Sequence, residues 1–310
     1  MPLPLGNAEG LPAVREGTRM AAPMNIITDE RCLKYHQLGH PERPQRVAGT
    51  LALLRKQEDL KINWLAPLEV KGDEAIQRAH DLAHIHKVTD PPGPFDGDTP
   101  NYPEINAHAR RSLGGALHAL KLARDGKPNF SLLRPPGHHA TRDRAMGFCY
   151  LNSIAIATLA ARAAGIKKVA VFDFDVHHGN GTEAILHKQE GCAFFSIHQH
   201  PAYPGTGQKS FDNCRNYTVP PETPNDGWRK RAAAALAELK DFKPDLIAVS
   251  AGFDAYKRDP LCQQKLEVED FGWMAKELRK LDTPLLSILE GGYSNDLPQL
   301  ILAYLKGLAE

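Results

Sequence analysis

The chain lacks the cysteine pattern of a disulfide-stabilised protein. Its 310 residues include five cysteines, an odd number, and none forms a C-x-x-C pair. Widely spread cysteines of this kind argue against both a disulfide framework and a structural thiolate zinc site. We therefore expect a reducing, cytoplasmic environment.

Long apolar runs and an excess of either charge are also absent. No apolar run approaches the ~20 residues that a membrane-spanning helix needs, so we predict no membrane segment. The chain has 38 Lys and Arg against 37 Asp and Glu, a net charge of +1, and no basic block. That balance predicts no direct binding to the phosphates of nucleic acids. Hydrophobic residues at 42% and charged residues at 24% are typical of a globular protein.

Residues 1–23 have no sustained apolar periodicity and are rich in proline, glycine and alanine. Such a segment cannot bury enough surface to fold by itself. We interpret it as a disordered tail or as an artefact of an over-long gene start. Residues 24–310 are predicted to form one domain, because no internal repeat or shift in composition marks a second one.

After Met24, short apolar runs alternate with amphipathic stretches. The apolar runs, which we predict to be strands, are 130–134, 168–174, 192–198, 245–253 and 284–292. The predicted helices are 42–57, 105–124, 150–164, 226–240 and 267–280. This alternation predicts an α/β fold with a central, mainly parallel sheet and helices on both faces.

Residues that bind metals and move protons follow these predicted strands. They are His138, His139, Asp175, His177, His198, Asp254 and Tyr293. Ligands of parallel sheets bind outside the carboxyl ends of the strands. The sequence therefore predicts that these side chains converge on one pocket.

The segment FDFDVHHGNG contains a candidate metal site. Asp173, Asp175 and His177 are spaced two residues apart, so in an extended chain they share one face. Two buried carboxylates beside an imidazole are costly unless a cation neutralises them or hydrogen bonds hold them, and a metal is the simplest of these solutions. Asp175 and His177, with Asp254 from a neighbouring strand, supply three ligands and leave a fourth position open. That arrangement is typical of catalytic zinc.

The remaining polar residues suggest acid–base chemistry. Asp173 is free to accept a hydrogen bond from His138 or His139 and to favour its protonated form. The other histidine can then take a proton from the attacking water. Tyr293, preceded by two glycines, is a candidate donor to the tetrahedral oxyanion.

Six motifs, RPPGHHA, GFCYLN, DFDVHHGNGT, YPGTG, SAGFDA and LEGGY, occur in this order. With HPERPQR at 40–46, they make the chain resemble the histone deacetylase superfamily over nearly all of 24–310. The resemblance implies an arginase-like α/β fold, hydrolysis of acyl-lysine, and zinc on Asp175, His177 and Asp254.

The resemblance also implies roles for the catalytic residues. His139 is the general base and then the acid, His138 is its electrostatic partner, and Tyr293 donates to the substrate oxygen. Asp173 contacts the first histidine, and Asn180 occupies the position that backs the second. An asparagine there is typical of the class II and bacterial branches and makes the base less basic than a carboxylate partner would.

By the same resemblance, five residues contact the substrate. Phe148 and Tyr203 form the walls of the acyl-lysine tunnel, Gly147 forms its floor, and Asp98 binds the substrate backbone. Leu261 occupies the position where polyamine deacetylases place a glutamate, and its apolar character favours acyl-lysine over acetylpolyamine.

The family also binds potassium beside the zinc, mainly through backbone carbonyls. The matching positions in this chain are Asp173, Asp175, His177, Ser196 and Ile197.

Three alternatives to an acyl-lysine deacetylase are considered. The first is an acetylpolyamine or small acyl-amide hydrolase. A binuclear manganese ureohydrolase needs further aspartates, and only Asp259 follows Asp254 closely. A non-catalytic acyl-lysine scaffold is disfavoured, because Tyr293 and the three zinc ligands are all retained.

Overall fold

The computed structural model describes residues 22–310, so nearly all of the predicted N-terminal tail, residues 1–23, lies outside the described part. An eight-stranded sheet has the order β2-β1-β3-β8-β7-β4-β5-β6, and every neighbouring pair is parallel. The strands are β1 (Met24–Ile27), β2 (Ile62–Leu65), β3 (Asn129–Ser131), β4 (Val169–Asp173), β5 (Cys192–Gln199), β6 (Cys214–Val219), β7 (Leu246–Ala251) and β8 (Leu285–Leu289).

Helices lie between most of these strands along the chain, although β6 follows β5 directly. They are α1 (Gln45–Lys56), α2 (Leu82–Thr89), α3 (Ile105–Arg124), α4 (Ser153–Ala163), α5 (Asn180–Leu186), α6 (Asn225–Phe242), α7 (Val268–Arg279) and α8 (Leu297–Ala309). Within residues 22–310, no helix combines the length and the apolar character that crossing a membrane requires.

Both faces of the sheet are covered. Successive residues of a buried strand pack alternately into two hydrophobic cores, one on each face. In β4, Ala170 and Phe172 pack into the core formed with α1, α6, α7 and α8. Val169 and Val171 of the same strand pack into the opposite core, formed with α2 to α5. A parallel sheet buried on both faces needs apolar residues at successive positions, which β4 supplies. The predicted α/β fold is confirmed.

The central strands place three functional loops side by side. Asp173, the last residue of β4, pairs in register with Ser250 of β7, and Ala251 pairs with Leu289 of β8. The chain therefore leaves these three strands at the same edge of the sheet. The loops that follow carry Asp175 and His177, then Asp254, then Tyr293.

Candidate metal and active site

Asp175, His177 and Asp254 form a buried group, called the metal group below because these three side chains could hold a metal ion. One ligand atom from each lies within 4.8 Å of the others, and this is the one potential metal-binding group of three residues found in residues 22–310. His177 Nδ1 lies 3.0 Å from Asp254 Oδ2 and 3.3 Å from Asp175 Oδ1. The loops that follow β4 and β7 thus bring together the three side chains singled out in the sequence.

The charge balance of this group fits a bound cation. Asp175 and Asp254 are fully buried. In the described part of the chain, their carboxylates make ion pairs with imidazoles only, those of His138 and His177. Two carboxylates buried together with no lysine or arginine partner are costly unless a further cation compensates them. Two oxygens and one imidazole nitrogen, with room for a further ligand, are a donor set that suits zinc.

Backbone groups fix the orientation of both carboxylates. The N–H of Gly291 donates to Asp175 Oδ2 at 2.7 Å, and the N–H of Val176 donates to Asp254 Oδ1 at 2.9 Å. A Cβ at Gly291 would lie 2.2 Å from Asp254 Oδ2 and 2.5 Å from Asp175 Oδ2. Only glycine therefore allows the chain after β8 to pass this close to the two carboxylates.

His138 is held in its charged form. Its Nδ1 lies 3.0 Å from Asp173 Oδ2. Burial opposes the charge, but the carboxylates of Asp175 and Asp173 outweigh it and raise the pKa of His138 to about 10. His138 is therefore a fixed positive charge beside the metal group.

His139 has the opposite character. Its Nδ1 donates to Asn180 Oδ1 at 2.8 Å, which leaves Nε2 without the proton. Burial and the charge of His138 hold the pKa of His139 well below its usual value. Its ring centroid lies 4.0 Å from that of His138. The two adjacent histidines thus form a charged and neutral pair, and the neutral member has a free ring nitrogen.

Tyr293 is positioned by a residue that the sequence analysis considered only as a further metal ligand. Asp259 Oδ2 accepts the backbone N–H of Tyr293 at 2.7 Å. Burial raises the pKa of Asp259 to about 7. The Arg46 guanidinium lies over the Tyr293 ring, 4.8 Å from its centroid, and Phe148 packs edge-on at 5.7 Å. These contacts fix the phenol against the cavity wall.

Glu290 also holds the site together, a role that no motif in the sequence indicated. Its Oε2 accepts the backbone N–H groups of Gly137 and His138, at 2.7 and 3.2 Å, and Ser250 Oγ donates to Oε1. Glu290 thereby ties the RPPGHH loop to the ends of β7 and β8. The signal in the sequence was an acidic residue placed directly between an apolar strand and two glycines.

A cavity of about 210 Å³ opens beside the metal group. All five predicted substrate-contact residues line it together with His139, His177 and Tyr293: Asp98, Gly147, Phe148, Tyr203 and Leu261. Tyr203 and Leu261 are 39% and 37% exposed, whereas Tyr293 is 6% exposed. The cavity therefore runs from an exposed rim to a buried end beside the metal group.

One prediction of convergence is wrong. His198 lies within β5 rather than after it, where Ser196 Oγ contacts its Nδ1 at 2.8 Å and its Nε2 contacts the Gly207 carbonyl at 3.0 Å. It is fully buried and does not line the cavity. The run CAFFSIH continues as strand to Gln199, so His198 pairs with β6 instead of entering the site loops.

The residues matched to the potassium site adjoin one another. Asp173 and Ser196 are register partners on β4 and β5, Ile197 follows in β5, and Asp175 and His177 lie in the loop after β4. Binding of potassium there stays a prediction.

Comparison with known proteins places this geometry in a family. The model of the histone deacetylase domain matches residues 40–308. A probable deacetylase from Methanothermobacter thermautotrophicus is 38% identical over 289 residues, 87% of this chain and 86% of the relative. The acetylpolyamine amidohydrolase of Burkholderia pseudomallei is 37% identical, over 77% of this chain and 74% of the relative.

A solved structure, that of the HDA15 HD domain, superposes with a TM-score of 0.84 and 32% identity, covering 93% of this chain and 90% of that one. The resemblance seen in the ordered motifs is therefore confirmed: the chain belongs to the histone deacetylase family.

Proposed function

We propose that the protein is a zinc-dependent amidohydrolase that removes acyl groups from the ε-amine of lysine in proteins or peptides. One observation carries the proposal: the group of Asp175, His177 and Asp254 adjoins a cavity lined by His139 and Tyr293. Zinc bound there would supply a Lewis acid that polarises the acyl carbonyl and activates water.

The two histidines divide the proton chemistry. His139, neutral and with Nε2 free, takes a proton from the attacking water and returns it to the departing amine. His138 keeps its proton, because Asp173 and Asp175 stabilise the charged imidazole. Its charge offsets the negative charge that develops on the substrate, so base and electrostatic partner are separate residues.

Tyr293 stabilises the oxyanion. A phenol at the buried end of the cavity donates a hydrogen bond to the carbonyl oxygen as it becomes tetrahedral, a contribution of about 3 kcal/mol for donors of this type. The hydroxyl keeps its proton for this role, because burial holds the pKa of Tyr293 well above its usual value.

The cavity suits an aliphatic side chain that carries an acyl group. Phe148 and Tyr203 supply aromatic surface along it, and Asp98 at the rim supplies an acceptor for a substrate N–H. Leu261 also lies at the rim and offers no carboxylate to a second amine. These features support acyl-lysine, rather than an acetylpolyamine, as the substrate.

A second candidate function is hydrolysis of acetylpolyamines, which the similarity to the Burkholderia acetylpolyamine amidohydrolase favours. Replacing Leu261 with glutamate would place a carboxylate at the rim, with Leu261→Gln as the uncharged control. We expect only the glutamate variant to improve kcat/KM for acetylated polyamines. If the wild-type protein already prefers acetylpolyamines to acetyl-lysine peptides, the second candidate replaces the first.

An activity panel tests the proposal. Acetyl-lysine peptides, longer acyl-lysine peptides, acetylpolyamines and small acyl amides are assayed with the zinc-loaded protein, and Asp254→Asn is the control for contaminating hydrolase. We expect turnover to be highest with an acyl-lysine peptide and absent in the control. Bound zinc without turnover of any substrate would favour a non-catalytic scaffold instead.

A further inference from the structure

The proposed metal ligand His177 has a neighbour on the side of its ring that faces away from the carboxylates. Its Nδ1 faces Asp175 and Asp254, whereas its Nε2 lies 3.5 Å from Cys262 Sγ. Within residues 22–310, Cys262 is the one hydrogen-bond partner found for Nε2. The thiol lies in the loop between β7 and α7, eight residues after Asp254 by residue number.

This contact matters because a neutral imidazole carries one proton. If Nδ1 is to offer its lone pair to a metal, the proton must sit on Nε2. His177 is only 8% exposed, so an Nε2–H without a protein acceptor would have little access to water. Sulfur is a weak acceptor, but the Sγ of Cys262 lies within hydrogen-bonding distance of Nε2.

The loop that carries Cys262 is itself tied to the site. Asp259 Oδ1 accepts the N–H of Leu261 at 3.0 Å, while its Oδ2 accepts the N–H of Tyr293 at 2.7 Å. The side chain of Leu261, directly before Cys262, lines the substrate cavity. The carboxylate that positions Tyr293 therefore also binds the backbone of the residue directly before Cys262.

We propose that Cys262 is a positioning residue for the metal ligand: its Sγ accepts the Nε2–H of His177 and thereby orients the ring with Nδ1 toward the metal. The inference rests on the proposed zinc site. Outer-shell partners of metal-bound histidines change metal affinity by roughly 10–100-fold, and for a weak sulfur acceptor we expect about tenfold.

Cys262 also packs against the hydrophobic core, so its removal has a structural effect to separate from the positioning effect. Three variants do this. Cys262→Ser keeps an acceptor of similar size, Cys262→Val keeps apolar volume without an acceptor, and Cys262→Ala removes both. Chelator competition measures the zinc affinity of each full-length metal-free protein, and thermal unfolding of the same samples measures packing.

We expect the valine and alanine variants to bind zinc about tenfold more weakly and the serine variant to stay close to wild type, whatever the order of their unfolding temperatures. Nitrogen NMR of labelled histidine in the zinc-bound wild type should show His177 protonated at Nε2. Wild-type affinity in the valine and alanine variants overturns the inference. So does an equal loss in all three variants, or a metal-bound Nε2. If wild type binds no zinc at all, the proposed function itself fails.

Discussion

Asp259 Oδ2 accepts the backbone N–H of Tyr293 at 2.7 Å, and this bond joins the loop after β7 to the loop after β8. The same oxygen accepts the N–H of Ser294 at 3.2 Å. The residue that carries the proposed oxyanion donor is therefore fixed by a carboxylate from the loop after β7, which also supplies Asp254.

Replacing Asp259 with alanine should lower kcat by about 10²-fold, because a displacement of roughly 1 Å in an active site has effects of that size. The variant leaves the N–H of Tyr293 without its acceptor but keeps all three proposed zinc ligands, so kcat per bound zinc is the quantity to compare. Asp259→Asn keeps one oxygen acceptor and is the matched control. Steady-state kinetics and zinc titration separate the two effects, and a lost metal with an intact kcat per zinc would contradict this role.

Replacing Tyr293 with phenylalanine should depress kcat by about 10²–10³-fold while KM stays nearly unchanged, as for loss of one oxyanion-hole donor. The ring stays, so its contacts with Phe148 and Arg46 are retained. Kinetics on an acetyl-lysine peptide make the comparison. If kcat and substrate binding fall equally, the hydroxyl already binds the substrate in the ground state, which contradicts its role as an oxyanion donor.

Replacing Gly291 with alanine should abolish zinc binding. The added Cβ would lie 2.2 Å from Asp254 Oδ2 and 2.5 Å from Asp175 Oδ2, so at least one carboxylate has to move. Gly93→Ala is the matched control, because no atom lies within 4 Å of its Cβ position. Zinc content of the two purified variants gives the result, and normal content in the Gly291 variant would mean that the carboxylates are not the ligands.

Glu42 of the HPERPQR motif predicts a pH-dependent stability. It is buried against Arg134 and Arg46, with Arg134 Nη2 donating to its Oε2 at 2.6 Å. Burial alone would raise its pKa, but the two guanidinium groups outweigh it and lower the pKa of Glu42 below its ordinary 4.5. The ion pair therefore stabilises the fold fully above pH 4.5, and this contribution is lost as pH falls through the lower, folded-state pKa.

We expect Glu42→Gln to lower the free energy of unfolding at pH 7 by about 3 kcal/mol, because it leaves two buried guanidinium groups without a carboxylate. The difference from wild type should shrink below pH 4.5. Urea unfolding at pH 7 and at a pH below 4.5 measures this difference. The substitution Glu58→Gln, at an exposed residue, is the control. A difference that does not depend on pH would show that packing, not charge, explains the loss.

The strands at the centre of the sheet could be predicted from the sequence, but those at its edges could not. β4 and β7 are buried along their whole length and appear as continuous apolar runs. β2 is partly exposed at every position, and β6 includes Arg215 and Asn216, so neither shows such a run. Helix α8 is not among the helices predicted from the sequence. Its Pro298 lies in the first turn, where the missing N–H costs no helical hydrogen bond.

The residues of the candidate site also fall into two groups, those that the sequence could predict and those that it could not. Residues whose side-chain chemistry is conspicuous, such as Asp175 and His177, could be found from spacing at the ends of strands. Glu290 and Asp259 act on backbone N–H groups of distant loops, and Cys262 acts through a distance between two loops. Such contacts depend on the folded arrangement of the loops, which no local pattern reveals.

The central claim is that Asp175, His177 and Asp254 hold one catalytic zinc. Its most direct test is zinc titration of the metal-free protein, followed at each step by hydrolysis of an acetyl-lysine peptide, for wild type and Asp254→Asn. We predict that wild-type activity rises with zinc and saturates at about one ion per chain, whereas the variant binds zinc weakly and stays inactive. Unchanged zinc affinity in the variant, or full activity without zinc, would contradict the claim.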